Sequence, residues 1–574
     1  MVLLGAVFLD SQCGGFKGKG TTLASLGVRS FLAAARVCRV SAMALFVDLK
    51  SGFYTVVREL VVRLQSSGDD IERILGSISA PVQLEAALLR LMAEPSIVER
   101  HLGVGHLSAL LSEAHTNTWF VVEGHLDVAR AVKGSRPGCC LADFVFNVAF
   151  APALEDVRCA LGEGGFLWEP PAAPALFAIC DVECARGGEP AHPVDHSVPS
   201  DFTYADDSCF CCVLRNNVGV AAAVVSACVI VADVLLRRGM VVNWDRGKSA
   251  ALVDLRGALS RTARRELYLD HGSSIAIPGT TCAVHIERTY VHLGSEVCSG
   301  GTMGPAVAAR VRAHAQAMSP LRRCVCPRKA VTSRAKLIFV DSLATSRLCH
   351  SVGAWDGLSP GQLARMQAAL VSGYRSAMCM PHRDPTKGRH VGADVLAACG
   401  KLGMLERLSF ARLRLLVPVV QHGPRSLLRL LDYLAARGCG WPALIVGDLE
   451  LVHAHWGADS LGAGAGALPA WLELVRSDPV LWSRGIARVE RRATAHHVDE
   501  CLRVVWRRSL DHILMQGALD LPEGSSHVEV ERGFLCYECG CALATPGAWR
   551  THRARVHGAR HPVRVLAFLS LIHI

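Results

Sequence analysis

The stretch FTYADDS at 202–208 decides how this sequence is read. Aromatic and β-branched residues lead into Asp206 and Asp207, and CFCCVL at 209–214 resumes the apolar run, a pattern of strand, tight turn, strand. A lone Asp pair carries little, because acidic turns are common. Its weight comes from a second site far upstream, LFVDLKSGFYTV at 45–56, where another apolar strand ends in Asp48. Clustered carboxylates can hold two hard cations about 3.5–4 Å apart and clamp both oxygens of a phosphoryl transfer. Strands that end in Asp are one way to build that clamp.

Composition bounds what else the chain can be. Its 574 residues give a prior of roughly four domains. With 51% hydrophobic and 20% charged residues, it is no disordered chain. The 23 cysteines are odd in number and scattered or adjacent, as at Cys139–Cys140 and Cys211–Cys212, which fits a reduced intracellular compartment better than a disulfide framework. MVLLGAVFLD lacks the basic start of a signal peptide, and the longest apolar stretch, 218–232, is 15 residues, short of a span of about 18–20. A buried helix is expected there, and no membrane partner. Net charge is +10, but 310–389 holds 14 Lys/Arg against Asp341, Asp356 and Asp384, so this segment carries +11 and the rest −1. Such a segment suits a polyanion.

The motifs form an ordered series. Asp48 with Phe53 resembles motif A of reverse transcriptases, and Tyr204-Ala205-Asp206-Asp207 resembles motif C. Between them, GSRPGCCLADFVFN (134–147) resembles motif B; GMVVNWDRGKSA (239–250) resembles motif D and YVHLG (290–294) motif E. Upstream, QCGGFKGKGTT (12–22) resembles the motif 2 region of LINE-type, non-LTR retrotransposon enzymes. The resemblance covers about residues 1–300. It implies a reverse transcriptase acting in the nucleus: an RNA-directed DNA polymerase that uses two Mg²⁺ to add dNTPs to a DNA primer on an RNA template.

Roles carried over are then Asp48, Asp206 and Asp207 as metal ligands, and Lys248 as the group meeting the leaving pyrophosphate. Phe53 would sit beneath the sugar of the incoming nucleotide, and Gly134 and Gly138 would let motif B approach the template–nucleotide pair. Pro137 stands at the usual Gln of motif B, and Ala142-Asp143 replace Ser-Pro. The chain starts near motif 2, so upstream fingers and an endonuclease are expected to be missing. That leaves a catalytically inactive nucleic-acid-binding remnant as the alternative.

A second constellation is Cys536-x2-Cys539-x12-His552-x4-His557. Two thiolates and two imidazoles at this spacing suit one tetrahedral Zn²⁺, with Phe534, Leu543 and Trp549 as the small core of a two-cysteine, two-histidine finger. The expected class is therefore α+β. Partial fingers and a right-hand palm occupy 1–300, a basic helical thumb 301–390, a helical connector 391–530 and a ββα zinc finger 531–560, followed by a tail at 561–574. GADSLGAGAGALP (457–469) reads as a linker. The last six residues, LSLIHI, back-translate to a sequence resembling a transposase adapter and are set aside as an assembly scar.

Overall fold

The computed structural model describes residues 8–64, 68–78, 82–102, 105–121, 123–124, 127–131, 133–135, 141–178, 196–380, 383–384, 388–389, 391–515, 527–530, 532–536, 542–543 and 566–567. The fold is mixed α and β. Its first ten strands, in chain order, are β1 (Ser41–Val47), β2 (Trp119–Val121), β3 (Val128–Arg130), β4 (Asp201–Tyr204), β5 (Asp207–Leu214), β6 (Ala250–Asp254), β7 (Ser274–Ala276), β8 (Ala283–Glu287), β9 (Thr289–His292) and β10 (Ser295–Cys298), and further short strands follow residue 380. Six of them form one sheet in the order β4-β5-β1-β6-β8-β7, with only β6 and β8 parallel.

The central strand β1, SAMALFV, is buried along its whole length. It reads as an unbroken apolar run because both faces of the sheet are covered. Strand alternation sends Ala42, Ala44 and Phe46, with Cys209, Cys211 and Val213 of β5, toward the helix Thr21–Val37. Met43, Leu45 and Val47, with Phe210, Cys212 and Leu214, face the helices Ala142–Glu163 and Val220–Arg237. The latter is 18 residues, long and apolar enough by length and composition to cross a membrane. The 15-residue estimate from the sequence fell short, because the helix runs on past Asp233. One side of it is nonetheless spent on this core, with Val224, Cys228, Val231 and Leu235 buried.

The region after 300 is helical, as its composition suggested, but its expected divisions do not follow the packing. The core of the helices Gly304–Cys324 and Pro360–Ala377 continues through Val395, Leu396, Met404 and Leu408, so one core crosses residue 390. The helices from Met404–His422 onward are no free-standing connector either. Leu427, Leu430, Leu431 and Leu434 share a core with Leu23, Phe31 and the β1 face. The Gly-rich 457–469 stretch is a pinned loop within this unit, not a linker. Trp471 Nε1 donates to the Gly462 carbonyl at 3.0 Å, and Trp471 packs edge-on against Trp456 with ring centroids 4.9 Å apart.

Of residues 531–560, the antiparallel pairing of Arg532–Cys536 with Ala542–Leu543 is described, setting Phe534 opposite Leu543. The strand His527–Val530 adds to its other side. Cys539, His552 and His557 lie outside the described residues, as do Gly138 and 568–574.

Candidate active site

The acidic residues meet at one end of the sheet. Tyr204 pairs with Asp207 across a two-residue turn, Ala205-Asp206. Ala205 takes a left-handed conformation at φ +54°, which such a tight turn imposes on its first residue. Val47 pairs with Ser208 as the last pair of the β1–β5 ladder, so Asp48 and Asp207 follow it at the same end of the sheet. By the same alternation, both project on the Phe46 side.

Electrostatics records the crowding. Asp207 keeps an exposed edge, yet lost hydration followed by the charges of Asp206 and Asp48 pushes its carboxyl up to about 6. Asp206 is raised as well, by burial first and then by Asp48. Lys248 opposes both shifts. Its Nζ lies 3.5 Å from Asp48 Oδ1, at the rim, with about half of its side chain in solvent.

Asp48 is held by the 241–249 segment. Asn243 Nδ2 donates to Asp48 Oδ2 at 3.0 Å, the Ser249 hydroxyl accepts from the Asp48 amide at 3.0 Å, and the Asn243 amide donates to the Asp48 carbonyl at 2.8 Å. Tyr290 closes the floor. Its ring stacks on Phe46 at 4.3 Å, and its hydroxyl donates to the Lys248 carbonyl at 2.7 Å. Burial, then Asp207 and Asp48, hold this phenol above its usual range.

Phe53 lies beside the cluster, half-buried, its ring tilted on Phe146 with centroids 4.6 Å apart. Gly134 (φ +90°) approaches the main chain next to it, where a Cβ would come within 2.9 Å of Tyr54 Cα. The Ser135 amide donates to the Phe53 carbonyl at 2.7 Å. Gly134 thus fixes the backbone that carries Phe53.

Sequence reasoning missed the residues that back the carboxylate cluster. A Cβ on Gly14 would sit 2.4 Å from the Ala205 amide nitrogen, and one on Gly52 would sit 3.2 Å from Asp206 Cβ. Buried Asn147 ties Gly14 to the helix Ala142–Glu163 by donating to the Gly14 carbonyl at 3.2 Å and the Asp143 carbonyl at 2.8 Å. The available signal was the glycines inside QCGG and KSGF, neither of which reveals its partner.

The donor set is hard oxygen and its carboxylates repel one another, which is the chemistry a divalent cation relieves. Still, among the described residues no three His, Cys, Asp or Glu side chains converge as a ready ligand set. The Asp48 carboxylate faces Asn243 and Lys248 instead. No protein-family model matches the chain, and no curated protein matches it.

Proposed function

We propose that the chain is the RNA-directed DNA polymerase of a non-LTR, LINE-type retrotransposon, with a right-hand palm at its amino-terminal half. The observation that carries this reading is the meeting of Asp48, Asp206 and Asp207 with Lys248 at one sheet end, residues drawn from three separate sequence motifs. By donor chemistry Asp48, Asp206 and Asp207 are the residues that would hold Mg²⁺, once Asp48 turns from Asn243 and Lys248, and the ion would supply charge stabilisation for the attacking and leaving oxygens of nucleotide transfer.

The chain's own residues do the rest. Asn243 and Ser249 orient Asp48. Lys248, at the solvent rim, is positioned to neutralise or protonate a departing pyrophosphate. Phe53, backed by Phe146, forms the wall against which a sugar would pack. Exposed arginines of the 310–389 segment, Arg312, Arg322, Arg323, Arg328 and Arg334 among them, offer phosphate contacts to an RNA–DNA duplex.

The test is primer extension on an RNA template with Mg²⁺ and dNTPs. Asp206→Ala should lose at least ~100-fold in rate while primer–template binding changes little, because it removes charge stabilisation and no duplex contact. Near wild-type extension by Asp206→Ala would refute the assignment. A second reading, a catalytically inactive nucleic-acid-binding remnant, is favoured by the engagement of Asp48 with Lys248 and Asn243. It predicts binding without extension by the wild-type chain.

The pattern Cys536, Cys539, His552, His557 supports a structural zinc finger on the 532–543 hairpin. Co²⁺ added to the full chain should give tetrahedral thiolate bands that Cys539→Ser weakens.

A further inference from the structure

A groove lies along the opposite edge of the sheet. Two cavities, of about 700 and 750 Å³, share Tyr268, Leu269 and Arg288 as their common wall. The first is lined by Arg256, Arg261, Arg264 and Arg265 against Asp254; the second reaches Arg246, in the loop that carries Lys248. Six arginines thus face two acids, Asp254 and Glu287.

Their states differ. Arg256 is committed to Asp254 at 2.8 Å, and Arg264 donates to the Leu255 carbonyl at 2.9 Å. Arg265 meets exposed Asp270, at 3.7 Å. Arg261 and Arg246 form no ion pair among the described residues, and both are exposed. Arg288 stacks over the Tyr268 ring at 4.9 Å from its centroid, and beside it Leu269 is 73% exposed. Tyr268 and Leu269 ride on a π-turn, Glu266–Asp270, an irregularity that recurs at functional sites.

Arg261 and Arg246, one in each cavity and on either side of the Tyr268–Leu269 step, combine exposed cations with an aromatic–apolar surface, the pattern that holds a nucleic-acid backbone and stacks a base. The first cavity is set apart from the carboxylate cluster, which only the second approaches. Ala250 pairs with Phe46 near Asp48, whereas Asp254 pairs with Ala42 at the far end, about 13 Å away at 3.3 Å per residue.

We infer that this edge groove binds single-stranded nucleic acid and leads it along β8 toward the Arg246–Lys248 loop. Its description as a template path rests on the polymerase reading; the binding does not. The probe is a labelled, unstructured 20-nucleotide RNA, followed by fluorescence anisotropy with the full chain at two salt concentrations. Arg261→Glu/Arg265→Glu should weaken RNA binding at least ~10-fold and shrink the salt slope by roughly 1.4, two phosphates at about 0.7 each. A blunt RNA–DNA duplex should lose less than ~2-fold. Both side chains are exposed, so an unchanged melting temperature is expected and confirms folding.

Unchanged RNA affinity in that variant overturns the groove, as does an equal loss for the blunt duplex. Equal displacement of RNA by polyglutamate overturns the nucleic-acid assignment in favour of an acidic protein. Asp206→Ala should bind the RNA like wild type. A wild-type chain that extends no primer, yet loses RNA affinity on charge reversal, rejects the polymerase reading and leaves the groove standing. Extension with no effect of the charge reversal does the opposite.

Discussion

Two residues behind the carboxylates determine more than their chemistry suggests. Gly14 packs its α-carbon against the turn that presents Asp206, and the neighbour a methyl would strike is backbone nitrogen. Gly14→Ala must therefore shift the 205–206 turn, costing about 1–3 kcal/mol as overpacking does. Primer extension should fall at least ~10-fold, since displacement by ~1 Å is enough to disrupt a reacting geometry. Gly76→Ala is the control. That glycine is helical with open space around it, so substitution should be neutral or stabilise by up to ~1 kcal/mol. Equal extension by the two variants would separate Gly14 from the site. His292, under the same floor, has both ring nitrogens buried without a hydrogen-bond partner, with Arg29 nearby and the Phe46 ring at 5.1 Å. Burial, then Arg29, carries its pKa from the usual 6.5 down to about 3. A depressed imidazole adds stability that is intact above pH 6.5 and is lost as pH falls toward 3. Going from pH 7 to 5 should cost about 2 kcal/mol through this group. Urea unfolding at both pH values, with His292→Phe for comparison, measures it; an equally steep decline in the variant would contradict the assignment.

At the scale of elements, the helix Arg425–Ala436 shows why 391–515 is not an appendage. Its apolar side meets the helix Thr21–Val37, and its buried Asp432 accepts from the Leu176 and Phe177 amides at 2.9 and 2.6 Å and from Ala178 at 3.2 Å. Asp432→Ala strands three donors, at about 1–3 kcal/mol. Because the helix beneath them also backs β1 and β4, extension as well as stability should fall in a thermal-melt and activity comparison. An unaffected extension rate would restore the connector view. The two strands at the site were legible from sequence because an apolar run and a terminal Asp are local signals; β1 and β4 fall where LFVD and TYADD suggested. The docking of the late helices was not. A Leu-rich helix announces that it has an apolar face, never which partner that face meets. Asn243, Ser249 and Tyr290 escaped for the same reason, since they reach Asp48 and Lys248 only through tertiary contact.

Over the whole molecule, charge is arranged in ways a running count along the chain obscures. The count located an excess of +11 at 310–389 and a residue of −1 elsewhere. That small remainder conceals the arginines gathered at 246–288, six of which line the edge groove. The helical segment does not present its whole excess either. Lys336 and Arg375 are buried, and Arg310 donates to the Gly294 carbonyl in the β9–β10 hairpin. Exposed cations remain at Arg312, Arg322, Arg323, Arg328, Lys329, Arg334, Arg347 and Arg365. Each phosphate met by one of them releases condensed counterions, so primer–template affinity should drop steeply with salt, by about 10³-fold between 50 and 200 mM if six phosphates are engaged. Arg328→Glu/Arg334→Glu should reduce the slope for duplex while leaving single-stranded RNA binding nearly unchanged, the mirror image of the edge-groove variant. Titrations of both ligands against both variants decide the matter. Parallel losses in all four combinations would mean that only net charge counts and that neither surface is a distinct site.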